Sequence, residues 1–329
     1  FNAIPNTLKK GVGAGIGLFI AFIGLQGAHI VVNNDTTLLS YVKFTENWHT
    51  EGICALLALI GLMLTAILYI KGIKASILIG IIATWVLGMI CQATGIYVVD
   101  PEAGFYSLYP TLSMTDFTAI KETFGQCFTA DFGGVKILDF VVVLFSFLFV
   151  DMFDTIGTLI GVSDKAGMLD EDGKLPRVKS ALLADAVATS VGAVFGTSTT
   201  TTFVESSAGV GAGARTGLAS VVTGFLFLIA IFFAPIFTAI PGFATAPALI
   251  FVGFLMVSAI VKVNFDDLTD AIPAYLCLIA MPLMYSIAEG IAIGVISYVI
   301  INLICGKAKK ITPLMYVLAI LFVCKYIFL

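Results

Sequence analysis

Charge is scarce in this sequence. Lysine, arginine, aspartate and glutamate make up 12% of its 329 residues, against roughly 25% in soluble domains. A soluble fold of this size cannot hide a composition that is 59% hydrophobic, and a mean hydropathy of +1.07 points to lipid as the solvent. No basic stripe occurs, which argues against a nucleic-acid partner. Histidine is limited to His29 and His49, far apart in the chain. The six cysteines (Cys54, Cys91, Cys127, Cys277, Cys305, Cys324) are scattered without CxxC spacing. No metal site or redox pair can be built from these, no cofactor is expected, and the cysteines read as small apolar fillers. A nucleophile–base pair and an HExxH stretch are also missing, which argues against a membrane-embedded hydrolase; the chain does not read as an enzyme.

Helix-length apolar sequence, by contrast, is abundant. Runs at about 11–32, 52–70, 75–96, 135–163, 179–196, 216–238, 245–262, 270–286, 287–305 and 311–329 each approach the roughly 20 residues that cross a bilayer. The pair 270–286 and 287–305 reads either as two short spans or as one helix broken around Ser286–Gly290. The last run is short enough to lie at the interface. Lys9 and Lys10, Lys71 and Lys74, the group Lys165, Lys174, Arg177 and Lys179, then Arg215, and finally Lys307, Lys309 and Lys310 fall on one side if a further segment crosses between 197 and 214. The positive-inside rule makes that side cytoplasmic. The stretch 97–134 is then external; it carries Asp100, Glu102, Asp116, Glu122 and Asp131 against Lys121 and splits the helices into two blocks. Phe1 and the Pro5-Asn6-x-x-Lys9-Lys10 lead do not form a signal peptide and read as a start inside a longer protein.

Two segments break the apolar pattern. The run 135–163 contains Phe149-Val-Asp151-Met-Phe-Asp154-Thr155, with two carboxylates three residues apart on one helical face. A charged aspartate at the centre of a membrane helix costs about 2.5–3.5 kcal/mol even on the mildest scale, which marks the pair as a candidate substrate or proton site. The second break is 196–217. Residues 197–202 are all Thr or Ser and favour extended chain over helix, whereas 206–214 are small residues suited to a tightly packed short helix. Glu205 stands between them. An extended stretch followed by a half-helix is tolerated at membrane depth where it lines a cavity or is buried in protein, and a half-helix starting near Glu205 would aim free N–H groups into that cavity. The glycines of 209–213 loosely resemble a dinucleotide fingerprint, but no βαβ unit surrounds them. Asp185, six residues past Lys179, reads as solvated or paired with a loop cation, or as a structural or coupling group. Glu289 reads as solvated at the external end of its span.

At these residues the sequence resembles a known family. Phe149-Val-Asp-Met-Phe-Asp-Thr-Ile-Gly-Thr158, Gly196-Thr-Ser-Thr-Thr-Thr-Thr-Phe-Val-Glu-Ser-Ser-Ala-Gly-Val-Gly-Ala-Gly-Ala-Arg-Thr-Gly217 and Gly11-Val-Gly-Ala-Gly-Ile-Gly-Leu-Phe-Ile-Ala-Phe-Ile-Gly-Leu-Gln26 are similar to the AzgA-type purine permeases of the xanthine/uracil permease superfamily. The resemblance implies an all-α polytopic fold of fourteen spans in two inverted seven-span repeats, with a short strand/half-helix break. This chain would begin at the fifth span. Residues 1–96 would hold the gate helices of the first repeat, 97–134 the external connection, 135–238 the core part of the second repeat and 239–329 its gate helices. The implied function is proton-coupled uptake of guanine and hypoxanthine, in some members adenine, across the plasma membrane. Carried over by motif, Asp151 and Glu205 are the substrate carboxylates and Asp154 tunes binding or transport; Phe149, Phe153, Phe203, Thr202 and Ser206 are candidate walls. The partners are a purine nucleobase, a proton and the lipid bilayer, with a homodimer left open. A carboxylate accepts well from purine N–H groups, and a carboxyl in low dielectric beside other acids can hold a proton near neutral pH. A uracil- or xanthine-type or anion transporter of the same fold, or a channel, is the alternative.

Overall fold

The computed structural model describes residues 4–34, 36–111, 113–115, 117–118, 120–130, 133–134, 136–171, 174–203 and 205–328. Helix α1 (Asn6–Gly27) is followed by an antiparallel hairpin of β1 (Val31–Asn34) and β2 (Leu38–Tyr41), with Val31 opposite Tyr41. A π-helical turn at Trp48–Gly52 leads into α2 (Ile53–Ile70) and α3 (Ser76–Ala93). Two one-turn helices, α4 (Ile120–Thr123) and α5 (Gln126–Thr129), precede α6 (Ile137–Ala166), α7 (Val178–Phe195) and the short α8 (Ser206–Gly211). Then come α9 (Gly217–Phe232), α10 (Ala234–Phe237), α11 (Gly242–Val257), α12 (Leu268–Leu283), α13 (Ile287–Ile304) and α14 (Pro313–Phe328). The apolar run 216–238 therefore divides into α9 and α10, the second with Pro near its start, where the missing N–H costs nothing.

Five of the helices found among the described residues are long and apolar enough to cross a membrane: Asn6–Gly27, Trp48–Ile70, Ser76–Ala93, Val178–Phe195 and Ile287–Ile304. Their flanks suit lipid. Helix α9 has no buried residue, and Leu218, Val221 and Phe225 on it are more than 60% exposed. An apolar surface of this extent is what a bilayer covers.

The chain divides into two compact units. One comprises Ile20–Asp116 and Ala208–Leu255. Its tightest contact is the α2–α3 hairpin. A Cβ added at Gly61 would fall 2.0 Å from Thr84 Oγ1, and one at Gly80 would fall 1.9 Å from Thr65 Oγ1. Each threonine returns its hydroxyl to its own helix, Thr65 Oγ1 to the Gly61 carbonyl at 2.8 Å and Thr84 Oγ1 to the Gly80 carbonyl at 2.7 Å. Both threonines are fully buried, so the small residues let the two backbones approach while no polar atom is left open. Beyond α3 the chain folds back on the helix: Trp85 Nε1 donates to the Leu108 carbonyl at 2.9 Å, and Leu108 N donates to Gln92 Oε1 at 2.8 Å.

The other unit comprises Phe1–Phe19, Phe117–Ser207 and Met256–Leu329. Here 270–286 and 287–305 are two helices rather than one. They reverse through a turn in which Tyr285 has φ of 53°, and Ser286 Oγ accepts from Glu289 N at 3.3 Å to cap α13. Gly11 of α1 lies against Ala274 of α12, where a Cβ would come within 2.8 Å of backbone. Glu289 corrects the sequence reading: it is not simply solvated but pairs with Lys325 and accepts from the Tyr326 hydroxyl, both on α14. At the opposite end of the hairpin Asp267 caps α12 through Thr269 N and pairs with Lys307 at 2.9 Å and Lys310 at 2.7 Å.

Two expectations follow from this packing. Gly61→Ala overpacks the α2–α3 contact and should cost about 1–3 kcal/mol of stability, seen as a lower thermal midpoint in detergent. Adding Thr84→Ala should recover part of it, the Pro247 ring still lying 2.9 Å from the added Cβ, and a double variant no better than the single would contradict the contact. Lys310 and Lys307, bonded to Asp267, hold its carboxyl well below the usual carboxylate range. A depressed value stabilises the fold above the unfolded-state value of about 3.9 and loses that contribution as pH falls through the folded-state value. Asp267→Asn should therefore lower the thermal midpoint at neutral pH, with the gap to the parent closing only as pH drops below the ordinary carboxylate range.

Candidate functional site

The site is built where α6, α7 and the irregular segment 197–203 meet. Helix α7 stops at Gly196, which adopts φ of 74°, the left-handed conformation glycine supplies at a helix end. The Val194 carbonyl that this frees accepts from Gly125 N at 2.8 Å. Residues 197–203 then run without regular secondary structure until α8 begins at Ser206, so no continuous helix passes through this stretch. Its polar groups are answered by side chains. Thr189 Oγ1 of α7 donates to the Thr200 carbonyl at 3.1 Å, which is how irregular backbone persists away from water.

Asp185 holds this junction. Its Oδ2 accepts from Thr155 Oγ1 of α6 at 2.9 Å and its Oδ1 from Thr202 Oγ1 at 3.4 Å. Thr155 is 1% exposed. The partners of Asp185 are thus hydroxyls, and no loop cation reaches it among the described residues. Asp151 lies one turn before Thr155 on α6, near Asp185 and the Thr199 side chain. Its Oδ1 is buried without a partner among the described residues.

The structure therefore gathers Asp151, Asp185, Thr155, Thr199 and Thr202. Thr202 is half-buried, whereas Phe203 is 58% exposed. Glu205 is an exposed turn residue just ahead of α8, and it makes no hydrogen bond or ion pair among the described residues. Ser206 is exposed, while the neighbouring Ser207 is fully buried with its Oγ unpartnered among the described residues. The side chains of Asp154, Phe149 and Phe153 lie outside the described residues. Arg215 donates to the carbonyls of Val210 at 2.8 Å and Ala214 at 2.7 Å, closing the C-terminal end of α8. Sequence reasoning gave Asp185 too little weight, although an aspartate within an apolar run of membrane length is itself a signal. It passed over Thr155 and Thr199, which take meaning only once Asp185 and Asp151 are seen beside them.

Lipid-facing apolar helices and a carboxylate-bearing helix set against a broken segment define a polytopic membrane transporter. Residues 1–293 match the Permease family, and the chain belongs to that family. It is 45% identical over 329 residues to a putative permease of Methanocaldococcus jannaschii, covering the whole chain and 70% of the relative. It is 46% identical over 330 residues to the guanine/hypoxanthine permease PbuG of Bacillus subtilis, again over the whole chain and 70% of the relative. The adenine permease AdeP of Escherichia coli is 39% identical over 330 residues, covering 99% of this chain and 68% of the relative. Family and helices together make it a multi-pass protein of the plasma membrane.

The hydroxyl fork on Asp185 is open to test. Thr155→Val keeps the shape of the side chain and removes its donor, leaving a carboxylate oxygen short of a bond, a loss of about 1–3 kcal/mol. Thr202→Val, whose bond is longer, should cost less. Thermal midpoints of the two variants in detergent give the order, and a larger loss at Thr202 would contradict the geometry.

Proposed function

We propose that the protein takes up purine nucleobases, guanine and hypoxanthine first and adenine by extension, together with protons, by alternating access. The observation that carries this reading is the buried Asp151 Oδ1 left without a partner beside a broken membrane segment. An unpaired acceptor in such a place costs free energy unless something fills it, and a purine edge presents the N–H donors that would. Relatives of 45% and 46% identity named as guanine/hypoxanthine permeases support the substrate class. In this reading Asp151 and Glu205 are the substrate carboxylates, Asp154 tunes the site, and Phe149, Phe153, Phe203, Thr202 and Ser206 shape its walls. Protonation of a site carboxyl exchanges an acceptor for a donor and so ties proton to base. An anion substrate would call for a free cation at the site, but Arg215 already donates to the Val210 and Ala214 carbonyls. We also infer a fourteen-span architecture of two inverted repeats for the intact transporter, with 1–96 and 239–329 as gate helices and 135–238 as core.

In the intact protein Glu205→Gln and Asp151→Asn should each lose most purine binding. An amide offers one acceptor oxygen and an unwanted NH₂ donor, and the mismatch typically costs about 1–3 kcal/mol. Asp154→Asn should change pH dependence or rate more than affinity. Hypoxanthine binding and uptake by these variants at normal membrane expression decide it. Glu205→Gln with parental affinity and pH profile would remove Glu205 from the site.

A further inference from the structure

The irregular segment does not leave α7 freely. It reverses at Gly196 and runs back along one face of the helix. A Cβ added at Gly192 would fall 2.8 Å from Thr197 Oγ1 and 3.0 Å from Thr200 Oγ1. Thr189 Oγ1 donates to the Thr200 carbonyl at 3.1 Å, and Thr202 Oγ1 donates to Asp185 at 3.4 Å. Positions 185, 189, 192 and 196 recur at the three- and four-residue spacing of one helical face. The place of the reversal therefore sets the register of the segment on α7. That register decides where Thr202 meets Asp185 and where Thr199 comes near Asp151.

On the side that the lysine and arginine count makes external, a turn holds this reversal. A helix ends with carbonyls that find no partner inside it, and at α7 two of these are answered by residues 123–125. Gly125 N donates to the Val194 carbonyl at 2.8 Å. Thr123 Oγ1 donates to the Phe195 carbonyl at 3.3 Å, a hydroxyl it shares at the same distance with the Ile120 carbonyl of its own helix. Phe124, between the two, meets Phe195 edge to face, with centroids 5.4 Å apart and planes at 72°, an arrangement that aromatic pairs favour. Gly196 fits because it has no side chain: a Cβ there would lie 2.5 Å from the Thr123 carbonyl oxygen. These contacts converge on the residues where α7 stops and the substrate segment begins. Both rings are about half exposed, at 52% and 50%, so the clasp can be altered without opening a core.

We propose that Thr123, Phe124 and Gly125 are positioning residues for the substrate site: they brace the reversal at Gly196, and through it hold Thr199 and Thr202 in the register that binds the purine. The assignment rests on the purine reading above.

A disulfide that reversibly replaces the ring contact tests it. Phe124→Cys/Phe195→Cys is made in the intact protein carrying Cys127→Ser, so that Cys127 cannot compete for the bridge, and Cys127→Ser alone is the parent. The adjoining backbones already bond at 2.8 Å, which brings the pair within reach of a bridge. Reduced, the pair lacks both rings and should bind labelled hypoxanthine in lipid nanodiscs about two- to tenfold more weakly than the parent, the ratio that an aromatic pair carries. Uptake into proteoliposomes should then show a raised KM with Vmax unchanged, whereas mere loss of folded protein would lower Vmax at constant KM. Oxidised, the same protein should recover parental affinity and uptake. Equal affinity in the two states, lower affinity on oxidation, a bridge that does not form, a Vmax loss at constant KM, or an oxidised protein that binds but no longer transports overturns the brace and leaves the purine reading standing. A parent that binds neither hypoxanthine nor guanine overturns both.

Discussion

A carboxylate at membrane depth has to be solvated by the protein that carries it. Water is absent, and each unsatisfied polar group there costs several kcal/mol. In this protein the constraint converges on Asp185, whose two oxygens take hydroxyl donors from Thr155 on α6 and from Thr202 in the irregular segment. The same bonds that satisfy the acid tie a helix to a stretch of chain with no ladder of its own. Thr189 adds a further tie by donating to the Thr200 carbonyl. The run of threonines at 199–202 therefore does two jobs. Its β-branched residues keep the backbone out of the helix, and its hydroxyls supply donors that an apolar strand would lack.

Asp151 is the exception that gives the site its interest. It sits beside this satisfied network with one oxygen buried and unpartnered among the described residues. Native proteins leave few such atoms, and those they leave point to a bond completed by something else. The proposed purine would complete it. Exchange of a proton at the same group would change what the site can bind, so substrate and proton need not be coupled through any long pathway.

Much of this was legible in the sequence because membrane constraints are severe. Apolar length marked the spans, and the Ser/Thr run followed by small residues marked the break between α7 and α8. Asp151 stood out because a charge has no cheap place inside a span. What stayed hidden depends on tertiary distance or on helix phase. Glu289 and Lys325 are 36 residues apart and Asp267 and Lys307 are 40 apart, so nothing local joins them. At the start of α8 a rotation of about 100° per residue decides which serine turns inward; it is Ser207, fully buried, and not Ser206. The nearly continuous run at 270–305 left one helix and two equally open until the cap at Ser286 and the turn at Tyr285 were seen.

The central claim is that a family permease with this carboxylate site moves purine bases uphill at the expense of a proton gradient. The most direct measurement is uptake of labelled hypoxanthine by the intact protein in a host lacking its own purine transport, with and without a protonophore. The account predicts saturable accumulation above the external concentration, competed by unlabelled guanine and collapsed by the protonophore. Uptake that never exceeds equilibration and does not saturate, or accumulation untouched when the proton gradient is dissipated, would contradict it.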